Sequence, residues 1–324
     1  MTDVLTHPGA APADPSLAAR LMSGGMPAQD VVVIAAAEQR PDGPFAQFRR
    51  SMRERFQAIT NVGLTHPASG QAALARHDLP GRNGLPALSY LAAGDSAGRP
   101  VVFIHGTPGE ASDWAPFLRR APAGQHRLAI DRPGFGRSGP GTPVVALPEQ
   151  ARAIAALLEA GPGPAVVVGS SYGGPVALQL AANHPDLVSG VLLVGAAADP
   201  VRERTHPAQR LAALRAVSSL LPRPLVHSNA ELLVLRRELE ALGQRIGRIR
   251  APVTILQGLH DTLVPAENAA YLAERLVGVA RRRVVLVERA GHFLHILRST
   301  LVEDTLRHLL AEAKTPGAAP AALS

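Results

Sequence analysis

No cysteine occurs among the 324 residues of this chain. Disulfides, cysteine-ligated zinc and a cysteine nucleophile are thereby excluded, and the redox compartment stays open. Aromatic residues make up only 3%, which leaves little for stacking nucleic-acid bases. Lysine is almost missing too: Lys314 stands alone, so arginine carries the net charge of +7. Together with 29 prolines and abundant alanine, this is the residue usage of a high-GC genome rather than the mark of a nucleic-acid partner. No apolar run reaches the roughly 18 residues needed to cross a bilayer. The first twenty residues lack a basic start followed by an apolar core, so no signal peptide is expected and a cytoplasmic location is the default. A phosphate-binding loop with lysine is absent, as is any H-E-x-x-H pair among the twelve histidines. Neither a metal nor another cofactor is expected.

Hydrophobic residues, at 46%, suffice for a sizeable core. Short β-rich runs recur at 101–104, 128–130, 165–168, 191–194, 253–256 and 284–287. They are continuous rather than alternating, which predicts strands covered on both faces. Helical periodicity over 147–160, 174–184 and 266–277 fills the intervals, as right-handed crossovers between parallel strands require. The interval between 194 and 253 is too long for one crossover. It predicts an insertion over about 197–250, with helices near 208–221 and 229–246, lying over the carboxyl edge of the sheet. That insertion holds ten arginines against four glutamates, which fits a solvated face or a basic wall favouring anionic substrates.

Residues 1–84 read as an N-terminal extension. Residues 3–30 are rich in Ala, Pro and Gly and are expected to be loosely ordered. Phe45, Phe48, Met52, Phe56 and Ile59 mark one face of a helix that would dock on the main domain, or touch a membrane surface or a protein partner. Residues 85–313 form the main domain, and 314–324 a low-complexity tail.

The chemistry is concentrated around Gly169-Ser170-Ser171-Tyr172-Gly173, a G-x-S-x-G string between a predicted strand and a predicted helix. A strained turn there would leave the Ser171 hydroxyl exposed above the sheet edge. A serine needs a base, and the base needs an orienting acid. Asp261 follows the 253–256 run and His292 follows the 284–287 run, so Ser171, Asp261 and His292 each stand just beyond a strand. Taken singly, Asp261 also reads as a turn residue and His292 as a helix N-terminal residue. Asp199 is the reserve acid. An oxyanion hole is predicted from the backbone N–H groups of Thr107 and Tyr172, since Pro108 has none to donate. His105, between a strand and a glycine, reads as a brace for that loop. The G-x-G-x-x-G string at Gly134–Gly139 runs into Pro140, Gly141, Thr142 and Pro143 instead of a helix, so it is not a dinucleotide site.

With these residues in view, the chain resembles the α/β-hydrolase superfamily over about 85–313. The marks are His105-Gly106-Thr107-Pro108-Gly109, Asp131-Arg132-Pro133-Gly134-Phe135-Gly136-Arg137-Ser138, the Ser171 elbow, the Asp261 loop and Gly291-His292. The resemblance implies an α/β fold with a mostly parallel, eight-stranded sheet, helices on both faces and a small helical cap over a Ser-His-Asp site. It treats the Asp131 segment as a structural turn. Serine at position 171 argues against the related epoxide hydrolases and haloalkane dehalogenases, which use aspartate there. The 105–109 loop faintly resembles that of proline iminopeptidases, whose cap is longer and whose acidic anchors find no clear counterpart. The expected activity is hydrolysis of a small carboxylic ester through an acyl-serine. An amidase, aminopeptidase or acyltransferase on the same triad is the alternative, and a ligand-binding or signalling protein on this scaffold is a third reading.

Overall fold

The structure is a computed structural model that describes residues 15–35, 74–205 and 207–313. The helix expected around 45–59 and the tail after 313 lie outside the described residues.

Among the described residues nine strands form one sheet in the order β1-β9-β8-β7-β6-β4-β5-β3-β2. They are β1 Val31–Ile34, β2 Ala75–Leu79, β3 Leu88–Gly94, β4 Arg99–Ile104, β5 Gln125–Ile130, β6 Ala165–Ser170, β7 Val188–Val194, β8 Val253–Gly258 and β9 Arg282–Val287. Strands β2 and β3 pair antiparallel, as do β3 and β5; every other pairing is parallel. The central strands contribute to two cores by alternation. Val102 and Ile104 of β4, with Val167 of β6, face the layer containing the helices Leu147–Glu159 and Gly173–Asn183. Val101, Phe103, Val166 and Val168 face Trp114, Phe117 and the C-terminal helix Ser299–Glu312. Because both faces are covered, the runs are apolar throughout, and the six strands predicted from them all form.

The sheet has nine strands where the resemblance implies eight, and residues before 85 supply two of them. Val31-Val32-Val33-Ile34 is β-branched throughout and adds in parallel to β9, with Val31 opposite Val284. Residues 15–30, expected to be loosely ordered, hold the helix Pro15–Ser23, whose Leu17 and Leu21 lie one turn apart and are buried with Met26. An i,i+4 apolar pair followed by a β-branched run is enough to fasten a segment that composition marks as loose. Deleting residues 1–70 is therefore expected to leave hydrolysis per folded molecule within a few-fold, because no candidate site residue precedes Thr107. It should nevertheless lower stability by at least about 3 kcal/mol through the lost burial of Leu17, Leu21 and Met26. Denaturant melts and initial rates of the two proteins check both halves of the expectation.

The segment between β7 and β8 is largely helical. Its helices are Pro207–Ala212, Arg215–Ser218 and Arg223–Gly243, so the first expected helix is broken near Leu214, and the second starts at Arg223 with Pro224 in its first turn. His227, Glu231, Leu235, Leu239 and Leu242 form the buried stripe of the long helix. On the opposite side of the molecule, Arg127 of β5 pairs with Glu303 of the C-terminal helix and donates to the Phe117 carbonyl at 2.8 Å. No described helix is long and apolar enough to cross a membrane.

Candidate active site

Parallel strands bring their carboxyl ends to one edge, and the candidate residues stand on that edge. Ser171 follows β6 directly and adopts φ +52°, the left-handed turn that lifts its side chain off the sheet. Its N–H donates to the Val194 carbonyl at the end of β7 (3.0 Å), and its carbonyl accepts from Gly174 (3.0 Å). The flanking glycines are required by close approach. A Cβ on Gly173 would strike the carbonyls of Ile104 and His105, and one on Gly169 would strike the Gly173 carbonyl. The loop after β4 thus lies against the elbow. A Cβ placed on Gly106 would be 3.0 Å from the Ser171 Cβ and 3.6 Å from its Oγ.

Asp261 and His292 are brought together in the same place. His292 Nδ1 and Asp261 Oδ2 are 2.8 Å apart, with both residues buried. The other carboxylate oxygen, Oδ1, accepts the backbone N–H groups of Leu263 (2.9 Å) and Val264 (2.8 Å). Gln257 adds a longer bond to Oδ2 at 3.3 Å. A Cβ on Gly195, one residue past the Val194 carbonyl that holds Ser171, would be 3.4 Å from both Asp261 Oδ2 and His292 Nδ1. Ser171 and the Asp261–His292 pair therefore flank the same turn after β7. The Ser171 hydroxyl forms no hydrogen bond to a described residue, whereas His292 is held by Asp261. Asp199, the reserve acid, faces elsewhere: its Oδ1 accepts the Val201 N–H at 2.9 Å and its carboxylate lies near Arg202.

The N–H groups of Thr107 and Tyr172 donate to no described residue, and both lie beside Ser171. His105 is fully buried, with Nδ1 2.7 Å from the Gly106 carbonyl and Nε2 accepting the Arg132 N–H at 2.9 Å. That bond pair places the proton on Nδ1. Burial, aided by the Arg132 guanidinium, holds His105 well below the usual histidine range, so the ring is neutral and braces the loop. The Tyr172 phenol is pushed well above its ordinary value by burial and by the Glu231 charge, which keeps it protonated. Its hydroxyl donates to the Val145 carbonyl at 3.3 Å. Among the described residues no group of three His, Cys, Asp or Glu side chains is placed to hold a metal ion.

In the loop after β4, Asp113 Oδ2 accepts the Glu110 N–H at 3.1 Å. Burial pushes its carboxyl up to about 7, opposed by that bond and helped by the charges of Glu110 and Asp131. A carboxyl whose folded value lies above its unfolded one binds its proton more tightly when folded. It therefore costs stability progressively as pH rises from 3.8 to about 7. Asp113→Asn keeps the acceptor without the charge. Its melting temperature is expected to exceed that of the unsubstituted protein at pH 8, with the gap closing toward pH 4. A gap that does not change with pH would show that Asp113 carries no such cost.

Residues 101–304 match the alpha/beta hydrolase family. The chain belongs to that family. Among its relatives, RutD of Variovorax paradoxus, named for carbamate hydrolysis, is 27% identical over 71% of this chain and 98% of its own length. A pimeloyl-acyl-carrier-protein methyl ester esterase of Neisseria meningitidis is also 27% identical, over 59% of this chain and 85% of its own. In three dimensions, 2-hydroxy-6-oxo-6-phenylhexa-2,4-dienoate hydrolase of Rhodococcus sp. strain RHA1 superposes with a TM-score of 0.59. It covers 74% of this chain and all of that one at 21% identity, a likeness of fold. This alpha/beta hydrolase thus has relatives named for ester and carbamate hydrolysis.

Two site residues escaped the sequence reading. Arg132 stands in a segment that reads as a turn, and Glu231 is one of four glutamates in an arginine-rich insertion. In this hydrolase their side chains are both fully buried and joined at 2.5 Å beneath the loop after β4. The available signal was position: Glu231 falls on the apolar stripe of the cap helix, one turn from His227 and from Leu235.

Proposed function

We propose that this alpha/beta hydrolase cleaves small carboxylic esters through an acyl-serine intermediate. His292, held through Nδ1 by Asp261, takes the Ser171 proton on Nε2 as Oγ bonds to the ester carbonyl carbon. The negative oxygen of the tetrahedral intermediate accepts from the Thr107 and Tyr172 N–H groups. Collapse breaks the bond to the alkoxy oxygen, which leaves with the proton from His292. Water then repeats the cycle: His292 takes one of its protons, its oxygen attacks the acyl carbon, and Ser171 leaves with that proton as the free acid forms.

The observation that carries this reading is the buried 2.8 Å Asp261–His292 bond next to the strained Ser171 turn. Structural roles alone do not call for an imidazole–carboxylate pair beside a serine at φ +52°. The methyl ester cleavage named for the Neisseria relative supports esters as the substrate class. Carbamates come second, on the name of the Variovorax relative. The test is steady-state hydrolysis of p-nitrophenyl esters from acetate to decanoate, with and without Ser171→Ala. Turnover that requires Ser171 supports the reading, and the chain-length optimum sizes the acyl pocket. Turnover on none of them would favour an amide substrate or a ligand-binding role.

A further inference from the structure

Beneath the oxyanion loop lies a charged network with every hydrogen-bonding position filled. Arg132 Nε donates to the His105 carbonyl at 3.0 Å, and Nη2 donates to the Gly106 carbonyl at 2.8 Å. Nη1 reaches Gln150 Oε1 at 2.7 Å, and the two terminal nitrogens fork onto Glu231 at 2.5 and 3.1 Å. Glu231 also accepts from Gln150 Nε2 (2.9 Å) and from the Thr107 hydroxyl (2.6 Å). The guanidinium lies over the rings of Phe135 (4.6 Å) and Tyr172 (4.7 Å). Five N–H groups thus meet five acceptor contacts, away from water.

One bond in this network aims another group. The Gly106–Thr107 peptide is not among the cis bonds of the chain. In a planar trans peptide the C=O and N–H point in opposite directions. Arg132 and the His105 ring hold the Gly106 oxygen, and by holding it they set the direction of the Thr107 N–H. Arg132 in turn is held by a carboxylate that belongs to the cap. Without Glu231 its guanidinium would be an unpaired buried charge between two aromatic rings, and it would move toward water.

We propose that Glu231 is a positioning residue through which seating of the cap helix Arg223–Gly243 aligns the oxyanion donor Thr107. The inference rests on the reading of Ser171 as nucleophile and of the Thr107 N–H as donor. It makes the cap part of the machinery for transition-state stabilisation, in addition to any role in covering substrate.

The test compares Glu231→Gln with Glu303→Gln in the full-length protein. The second variant neutralises an ion pair that also joins a helix to the sheet but has no hydrogen bond to a candidate site residue. Three quantities are read: melting temperature, kcat and KM for p-nitrophenyl butyrate, and inhibition by phenylboronic acid. That acid forms a tetrahedral adduct when Ser171 Oγ bonds to boron and His292 takes the serine proton. Glu231→Gln is expected to lower kcat per folded molecule about 10- to 100-fold and to weaken phenylboronic acid by a similar factor, with KM within about 3-fold. Glu303→Gln is expected to lower the melting temperature while kcat and inhibition stay within about 2-fold. Folded Glu231→Gln with kcat and inhibition near the unsubstituted values overturns the proposal, as does a loss no larger than that of Glu303→Gln. If Glu231→Gln does not fold, the paired replacement Glu231→Leu with Arg132→Met removes both charges at similar volume. A folded pair variant should show the same loss of kcat, and full activity in it overturns the proposal. Hydrolysis that is absent, or that survives Ser171→Ala, brings down the ester reading and this inference together. Ser171-dependent hydrolysis that ignores Glu231 brings down this inference alone.

Discussion

Replacing Ser171 with alanine is expected to lower kcat for p-nitrophenyl butyrate by at least about 10³-fold, with little change in melting temperature. The expected fall in rate follows from the proposed role of Ser171 Oγ as nucleophile. Stability is spared because the Ser171 hydroxyl bonds to no described residue, and the turn is held by the backbone bonds to Val194 and Gly174, which alanine retains. Alanine keeps the positive φ of serine at that site, so the strain is common to both proteins. Residual turnover within tenfold of the unsubstituted enzyme would remove Ser171 from the reaction.

Asp261→Asn is expected to lower kcat by about 10³- to 10⁴-fold at neutral pH, although the substitution barely changes shape. Oδ1 of the aspartate accepts two backbone N–H groups, from Leu263 and Val264, and an amide NH₂ cannot take that place. The asparagine oxygen must therefore sit there, and its NH₂ must face His292 where Oδ2 now accepts. His292 Nδ1 would then accept, and its proton would reside on Nε2. The imidazole could no longer take the serine proton. Asp199→Asn provides the contrast and should leave kcat within a few-fold, since its carboxylate faces Val201 and Arg202. Measuring kcat for both variants separates the two acids, and equal losses would remove Asp261 from its assigned role.

Much of the fold was legible because a doubly covered parallel sheet writes itself as uninterrupted apolar runs. All six predicted strands, and the order of Ser171, Asp261 and His292 beyond them, follow from that simple signal. Edge strands carry less of it. Strand β2 is Ala-Arg-His-Asp-Leu, held by pairing with β3 rather than by its own hydrophobicity. Strand β1 is a β-branched run that was not predicted as a strand, and its apolar neighbours Leu17 and Leu21 lie in a stretch that Ala, Pro and Gly make look loose. Cap boundaries were least legible, because short helices on a surface are ended by local proline and by docking rather than by a change of period.

The sequence by itself determined the identities and order of the candidate site residues. A G-x-S-x-G string, an aspartate and a histidine, each following a strand of one parallel sheet, must arrive at one edge, because parallel strands share a direction. It also excluded cysteine chemistry outright. Only the tertiary structure decided which acid meets His292, since Asp199 and Asp261 both follow strands and just one approaches Nδ1. Only the tertiary structure joined Arg132 to Glu231, residues on separate elements that meet when the cap folds back. Such pairs leave no local pattern: burial of a charge is stable only when its partner arrives from elsewhere in the chain, and that arrival is a property of the fold.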